Sequence, residues 1–198
     1  MSHPIRCKCG CLQGSVVNVK TANRGVCYCL DCQAFAHFLG RSSDILDHLG
    51  GTDIVQTLPK HVSFTQGTEV LACMRLTETG LLRWYTRCCN TPIGNTLPSY
   101  KMSFVGLVHN CLESSEVTLD NSFGPARIRV HTKSAKGEPK PKQVGFLAAI
   151  ARNIARILRA RIDGSYKQTP FFSADSEMPV VQPKVLSDRE YKDIMSSL

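Results

Sequence analysis

From residue 5 to about 131 the apolar positions fall in short runs: "GSVVNV", "HVSFTQG", "EVLACMRL", "LLRWYT", "MSFVGLVHN", "SSEVTLDN" and "ARIRVHT". Each is rich in β-branched or aromatic residues and is bounded by Gly, Asn, Pro or Asp, the signature of short strands in an all-β core. Two helical interruptions are predicted, one after Cys32 in "CQAFAHFLGR" and one in "SSDILDHLG", where Ser42 or Ser43 caps and the glycines stop the turn.

The pattern changes twice further on. "TKSAKGEPKPKQ", residues 132–143, has no apolar period and reads as a Lys/Pro/Gly-rich linker or loop. Beyond it, Phe146, Leu147, Ile150, Ile154, Ile157, Leu158 and Ile162 recur at three- and four-residue steps, which predicts one amphipathic helix stopped by Gly164. Arg152, Arg156 and Arg159 share a flank of that helix; the reading is a helix docked on its own core with solvated arginines, against the alternative of a basic face for anionic lipid, nucleic acid or phosphate ligands. "TPFF" is apolar enough to pack, and Ser187 with Glu190 makes a capping-box start for a short terminal helix.

The expected organisation is a β domain over 1–131, the linker at 132–143, and a helical extension over 144–198 packing on the core. At 198 residues and 42% hydrophobic, the chain has room for one main core. No apolar run of signal-peptide length precedes the first cysteine and none nears the roughly 20 residues that span a bilayer. A cytoplasmic, reducing location is therefore the expectation, and no membrane span. The net charge of +8 fits nucleic acid, acidic membranes or anionic small molecules, provided it is concentrated on one surface.

Ten cysteines change the picture most. In a reducing compartment clustered thiols read as zinc ligands or catalytic groups before disulfides. Three groups stand out: Cys7, Cys9 and Cys11 in "CKCGC"; Cys27, Cys29 and Cys32 in "CYCLDC"; Cys88 and Cys89 in "RWYTRCCNTPIGNT". Zinc takes about four donors in a tetrahedron, and C-x-C spacings supply two from one turn while a distant segment supplies the rest, a pattern that the first and third groups fit. The middle group offers three thiols without an evident fourth, His37 being the nearest candidate; it is either an open zinc site for a soft sulfur ligand or a closed structural site completed from afar. Cys73 and Cys111 lie in apolar strand contexts and are assigned to the core. No histidine pairing motif, nucleophile elbow, P-loop or dinucleotide fingerprint is present.

The order "RCKCGCLQGSV", "CYCLDC", "TGLLRWYTRCCNTPIGN" resembles the glutathione-dependent formaldehyde-activating enzyme family, which includes the centromere protein V domain and whose pattern runs C-x-C-G, C-x-C-x-x-C, R-x-F-C-x-x-C-G-T. The resemblance covers roughly residues 5–110 and implies a zinc-bearing β-tent. It implies that Cys7 and Cys9 join the last motif in a structural zinc site, and that Cys27, Cys29 and Cys32 hold a second zinc associated with glutathione, with Asp31 matching an acidic residue often found there. In the third motif Arg83, Tyr85, Cys89 and Thr91 match, but Thr86 stands where a cysteine is expected and Asn90 where a glycine is expected. The structural site would then hold three family ligands plus water, Cys88 or Cys11, or stand empty.

The function expected from this is a zinc-dependent carbon–sulfur lyase-like enzyme, of the S-(hydroxymethyl)glutathione synthase type, acting on glutathione or a related thiol and an aldehyde adduct with one or two zinc ions. The alternative is a non-enzymatic zinc-stabilised module for nucleic acid or a protein partner; basic and aromatic residues are not interleaved as base stacking requires, which argues against nucleic acid. A degenerate site and a homo-oligomer both stay open.

Overall fold

The computed structural model describes residues 1–198. Its heart is β, in two sheets. A three-stranded antiparallel sheet is built from β1 (Ser2–Arg6), β2 (Gln13–Val17) and β5 (Val62–Gln66). The larger sheet has eight strands, the inner six being β3 (Asn23–Cys27), β4 (Thr52–Thr57), β9 (Val105–Val108), β8 (Pro92–Thr96), β7 (Leu82–Thr86) and β6 (Leu71–Arg75), all antiparallel neighbours in that order. Both edges are closed by parallel strands: β10 (Ile128–Val130) lies on β3, and β11 (Lys184–Val185) lies on β6.

Alternation along the central strands explains the layering. In β7, Leu82 and Trp84 point into the core shared with the small sheet, together with Ile5, Val16, Val55, Val62, Ile93, Val105 and Leu107. Arg83 and Tyr85 point to the other face. There α1 (Leu30–Phe38), α2 (Ser42–Ile45) and α5 (Asp188–Ser196) pack Phe35, Leu39, Ile45, Tyr191 and Ile194 around Met74, Tyr85 and Val108. A sheet covered on both faces needs strands apolar on both, so β9, "VGLV", is buried at every position.

The C-terminal segment enters this architecture. Phe171 and Phe172 of "TPFF" are buried in the main core, Phe171 lying 5.1 Å from the Trp84 ring. α5 carries the capping box, with the Glu190 N–H donating to Ser187 Oγ and the Ser187 N–H to Glu190 Oε2. In the 132–143 stretch Ala135 is buried and Lys136 N–H donates to Leu49 O at 2.7 Å.

Two of the predicted elements take a different form. "SSEVTLDN" forms no strand: Thr118 Oγ1 accepts from the Asn121 N–H at 3.2 Å and caps the short α3 (Leu119–Phe123), a local side-chain bond that competes with strand pairing. α4 (Phe146–Ile162) forms as its period requires, but only one edge of its apolar stripe is docked, Phe146 and Ile157 being half-buried and Ile150 lying on a cavity wall. Leu147, Ile154, Leu158 and Ile162 are exposed, whereas Ala149 and Ala160 are buried. Asn153 holds the inner face, accepting from Asn23 Nδ2 at 3.1 Å and donating to Gln56 Oε1 at 2.9 Å, and Arg156 donates to Thr21 O. Small and amide side chains let the helix lie close to the sheet, and most of its large aliphatic residues remain outside.

Candidate metal centres

The chain brings eight of its ten cysteines near one another in two places, and seven sulfurs form two compact groups. The first joins Cys7 and Cys9 to Cys88 and Cys89, with all four Sγ atoms within 4.8 Å of one another. Cys7 directly follows the first strand of the β1–β2 hairpin. The chain then turns through Gly10, whose φ of +79° calls for glycine. Gly10 N–H donates to Cys7 O and Leu12 N–H to Cys7 Sγ at 3.2 Å, so the knuckle brings the buried Cys7 sulfur and the exposed Cys9 sulfur together and supplies a donor to the first.

The β7–β8 turn supplies the other pair. Asn90 takes the left-handed φ of 51° that the expected glycine would take, and Asn is the side chain that tolerates it best. Thr86, in place of a cysteine, sets its Oγ1 3.4 Å from Cys89 Sγ, and Cys88 brings the fourth sulfur instead. Sulfurs 2.3 Å from a common centre in a tetrahedron stand about 3.8 Å apart. The separations are 3.6 Å for Cys7–Cys9, 3.3 Å for Cys9–Cys88 and 3.7 Å for Cys88–Cys89, so the four thiols fit a four-coordinate ion. Cys11 stays exposed outside this group. Burial opposes ionisation of Cys89, but hydrogen bonds from the Thr86 and Thr91 hydroxyls and from the Cys9 N–H outweigh it and bring its pKa down to about 5.

The second group is Cys27, Cys29 and Cys32, again within 4.8 Å of one another, with Cys27 and Cys29 3.3 Å apart. Cys27 is the last residue of β3, Cys29 flanks the start of α1, and Cys32 lies in its first turn, where the helix's free N–H groups favour thiolate. A proton shared with Cys29 pushes Cys27 up to about 12, and one shared with Cys27 does the same for Cys32; at Cys29 the bond with Cys27 lowers the pKa but the bond with Cys32 and burial prevail, again to about 12. Such thiols give up protons at neutral pH to a cation that replaces them. His37 is not part of the group, its Nδ1 lying 3.3 Å from Ser197 Oγ at the far end of α1, and no other histidine or carboxylate completes it.

What sets the second group apart is the space beside it. Cys27, Cys29 and Cys32 line a cavity of about 480 Å³ bounded by β3, β4, β10 and the inner face of α4, and walled mainly by apolar side chains including Ile54, Phe104 and Phe146. Arg83 reaches the same cavity from β7. It is 1% exposed, donates to Asp31 Oδ2 at 3.2 Å and Asn95 Oδ1 at 3.3 Å, and has its Nε–H buried without a partner. A motif match marked Arg83, but Gln56, Asn95, His131 and Asn153 on the cavity wall carried no sequence signal. Cys73 and Cys111 are buried core residues.

The fold and these sites define a mostly β protein with two cysteine clusters, each geometrically able to hold a metal ion. The chain belongs to the family of unknown function DUF6151, whose model matches residues 1–179. A crystal structure of a Rhodobacter sphaeroides protein, a structural genomics target, is similar over 58% of this chain and 89% of its own, at 18% identity and a TM-score of 0.37. No curated protein matches the chain. No helix is long and apolar enough to cross a membrane.

Proposed function

We propose that this chain is a zinc-dependent carbon–sulfur lyase-like enzyme of the glutathione-dependent formaldehyde-activating type, with a β-tent core, a structural zinc at Cys7, Cys9, Cys88 and Cys89, and a reactive site at Cys27, Cys29 and Cys32. The observation that carries this reading is the asymmetry of the two clusters: one has four sulfurs, while the other has three and opens onto a cavity. Four thiols saturate a tetrahedral ion and make a staple; three leave a corner for a ligand from the cavity.

Zinc held by three thiolates is a weak acid that favours a soft sulfur ligand and keeps it as thiolate at neutral pH. The protein's own part is to orient and to exclude water. The cavity's apolar wall shields the reacting atoms, and the α1 N-terminus favours negative charge at the sulfurs. Arg83, on the cavity wall and held by Asp31 and Asn95, puts a guanidinium charge beside the sulfurs that favours an anionic group of the bound molecule. In the forward direction the thiol sulfur bonds to the aldehyde carbon, the carbonyl π pair moves to oxygen, and that oxygen takes up the proton the thiol lost; the lyase direction reverses each move.

Zinc content and glutathione binding of Cys29→Ser beside the parent chain test this. The expected result is loss of one zinc per chain and of saturable glutathione binding. Unchanged values for both would overturn the proposal.

A further inference from the structure

Two observations outside the cysteine sites concern α4 and the segment before it. The first is the outward stripe of α4, where Leu147, Ile150, Ile154, Leu158 and Ile162 follow one another at steps of three or four and are 78, 38, 51, 57 and 88% exposed. The helix reaches the body through its other side, so nothing in the chain covers this stripe. The second is the charge. Between residues 127 and 162 there are ten Lys and Arg against one acid, Glu138, whereas the rest of the chain holds fourteen basic and fifteen acidic residues. The whole positive excess thus resides in α4 and the segment leading to it, and none of the ten forms an ion pair with a carboxylate.

We infer that α4 is an interfacial helix that seats this protein on an anionic membrane surface, its aliphatic stripe in the headgroup–acyl boundary and its basic neighbours on lipid phosphates and carboxylates. An apolar face flanked by Arg, on a helix without a single acid, is what such seating requires. Charge decides among the occupants. A second copy docked through the same stripe would bring the exposed Arg152, Arg159 and Arg161 of each helix together with no acid on either, and a nucleic acid would answer the arginines but leave five aliphatic side chains in water. An anionic bilayer meets both needs. The inner side of α4 walls the cavity beside Cys27, Cys29 and Cys32, and Ile150 stands at the edge between the two, so the seat and that cavity adjoin on one helix.

The test is co-sedimentation of the full chain with phosphatidylcholine vesicles with and without phosphatidylserine, at low and high salt. The parent chain is expected to partition onto the anionic vesicles alone and to leave them as salt rises. Leu147→Ser with Leu158→Ser, both exposed and so neutral to folding, is expected to weaken partitioning about tenfold or more, with unchanged circular dichroism and melting temperature. No partitioning onto anionic vesicles, equal partitioning onto neutral ones, or an unchanged double variant would each overturn the inference. So would a parent dimer in sedimentation equilibrium that the same pair of substitutions dissolves, or salt-sensitive duplex DNA binding in the absence of vesicle binding.

Discussion

Replacing Cys9 by serine isolates what the four-sulfur cluster does for the fold. Cys9 is exposed, so the change disturbs no core packing, yet its sulfur is 3.3 Å from Cys88, a residue 79 positions away. A shared ion at that point ties the β1–β2 turn to the β7–β8 turn. Constraining a loop of about 80 residues removes roughly 4.5 kcal/mol of chain entropy from the unfolded state, if the staple behaves as a covalent link does. Mass action leads to a similar figure, since free zinc at about a thousand times its dissociation constant stabilises the folded chain by about 4 kcal/mol. For a chain of this length, 4 kcal/mol corresponds to about 8–16 °C in melting temperature. The assay is calorimetry of parent and Cys9→Ser with and without chelator, alongside metal analysis. Two zinc ions per parent chain and one per variant are expected, with the variant's melting temperature lower by that amount and much less responsive to chelator. An unaltered zinc count in Cys9→Ser, or a chelator response as large as the parent's, would refute the argument that these four sulfurs share an ion.

Exchanging the ligand position tests the turn itself: Thr86→Cys with Cys88→Ser is expected to retain the parent's zinc content, because Thr86 Oγ1 already stands 3.4 Å from Cys89 Sγ, whereas Cys88→Ser alone is expected to lose the ion by metal analysis. Arg83→Met is expected to raise the KM for thiol substrate by about 10–100-fold, the range set by losing a hydrogen bond from a charged donor, while Arg83→Lys restores part of it; equal KM values in steady-state kinetics would remove Arg83 from substrate binding. Hydrogen bonds from Lys184 and from Ser187 hold Glu190 down at about 2, so its capping contribution is complete above the ordinary glutamate range and fades as pH falls toward 2. Carboxyl NMR titration should locate that pKa, and Ser187→Ala should move it upward and cost about 1 kcal/mol of stability.

What could be read directly was whatever a few neighbouring residues decide among themselves. Cys27, Cys29 and Cys32 are gathered by one strand end and one helix start, so their grouping was legible from spacing alone, as were the Ser187–Glu190 cap and the helical period of α4. Several strands, among them β4 and β8, were less visible because a sheet covered on both faces lacks the alternation that marks a half-exposed strand.

The tertiary structure alone decided which distant parts meet. That Cys88 and not Thr86 points at Cys9, that Asn90 turns left-handed as a glycine would, and that Arg83 is buried beside Cys32 in one cavity all depend on strand register across the sheet, which no local window contains. The same holds for α4. Its sequence determined an amphipathic helix by itself, but which face turns inward was settled by the buried Ala149 and Ala160 and by Asn153 bonding to Asn23 of β3 and Gln56 of β4, leaving most of the aliphatic side chains outside. Periodicity defines two faces of a helix; only the shape and hydrogen-bonding groups of its neighbour decide which face is buried.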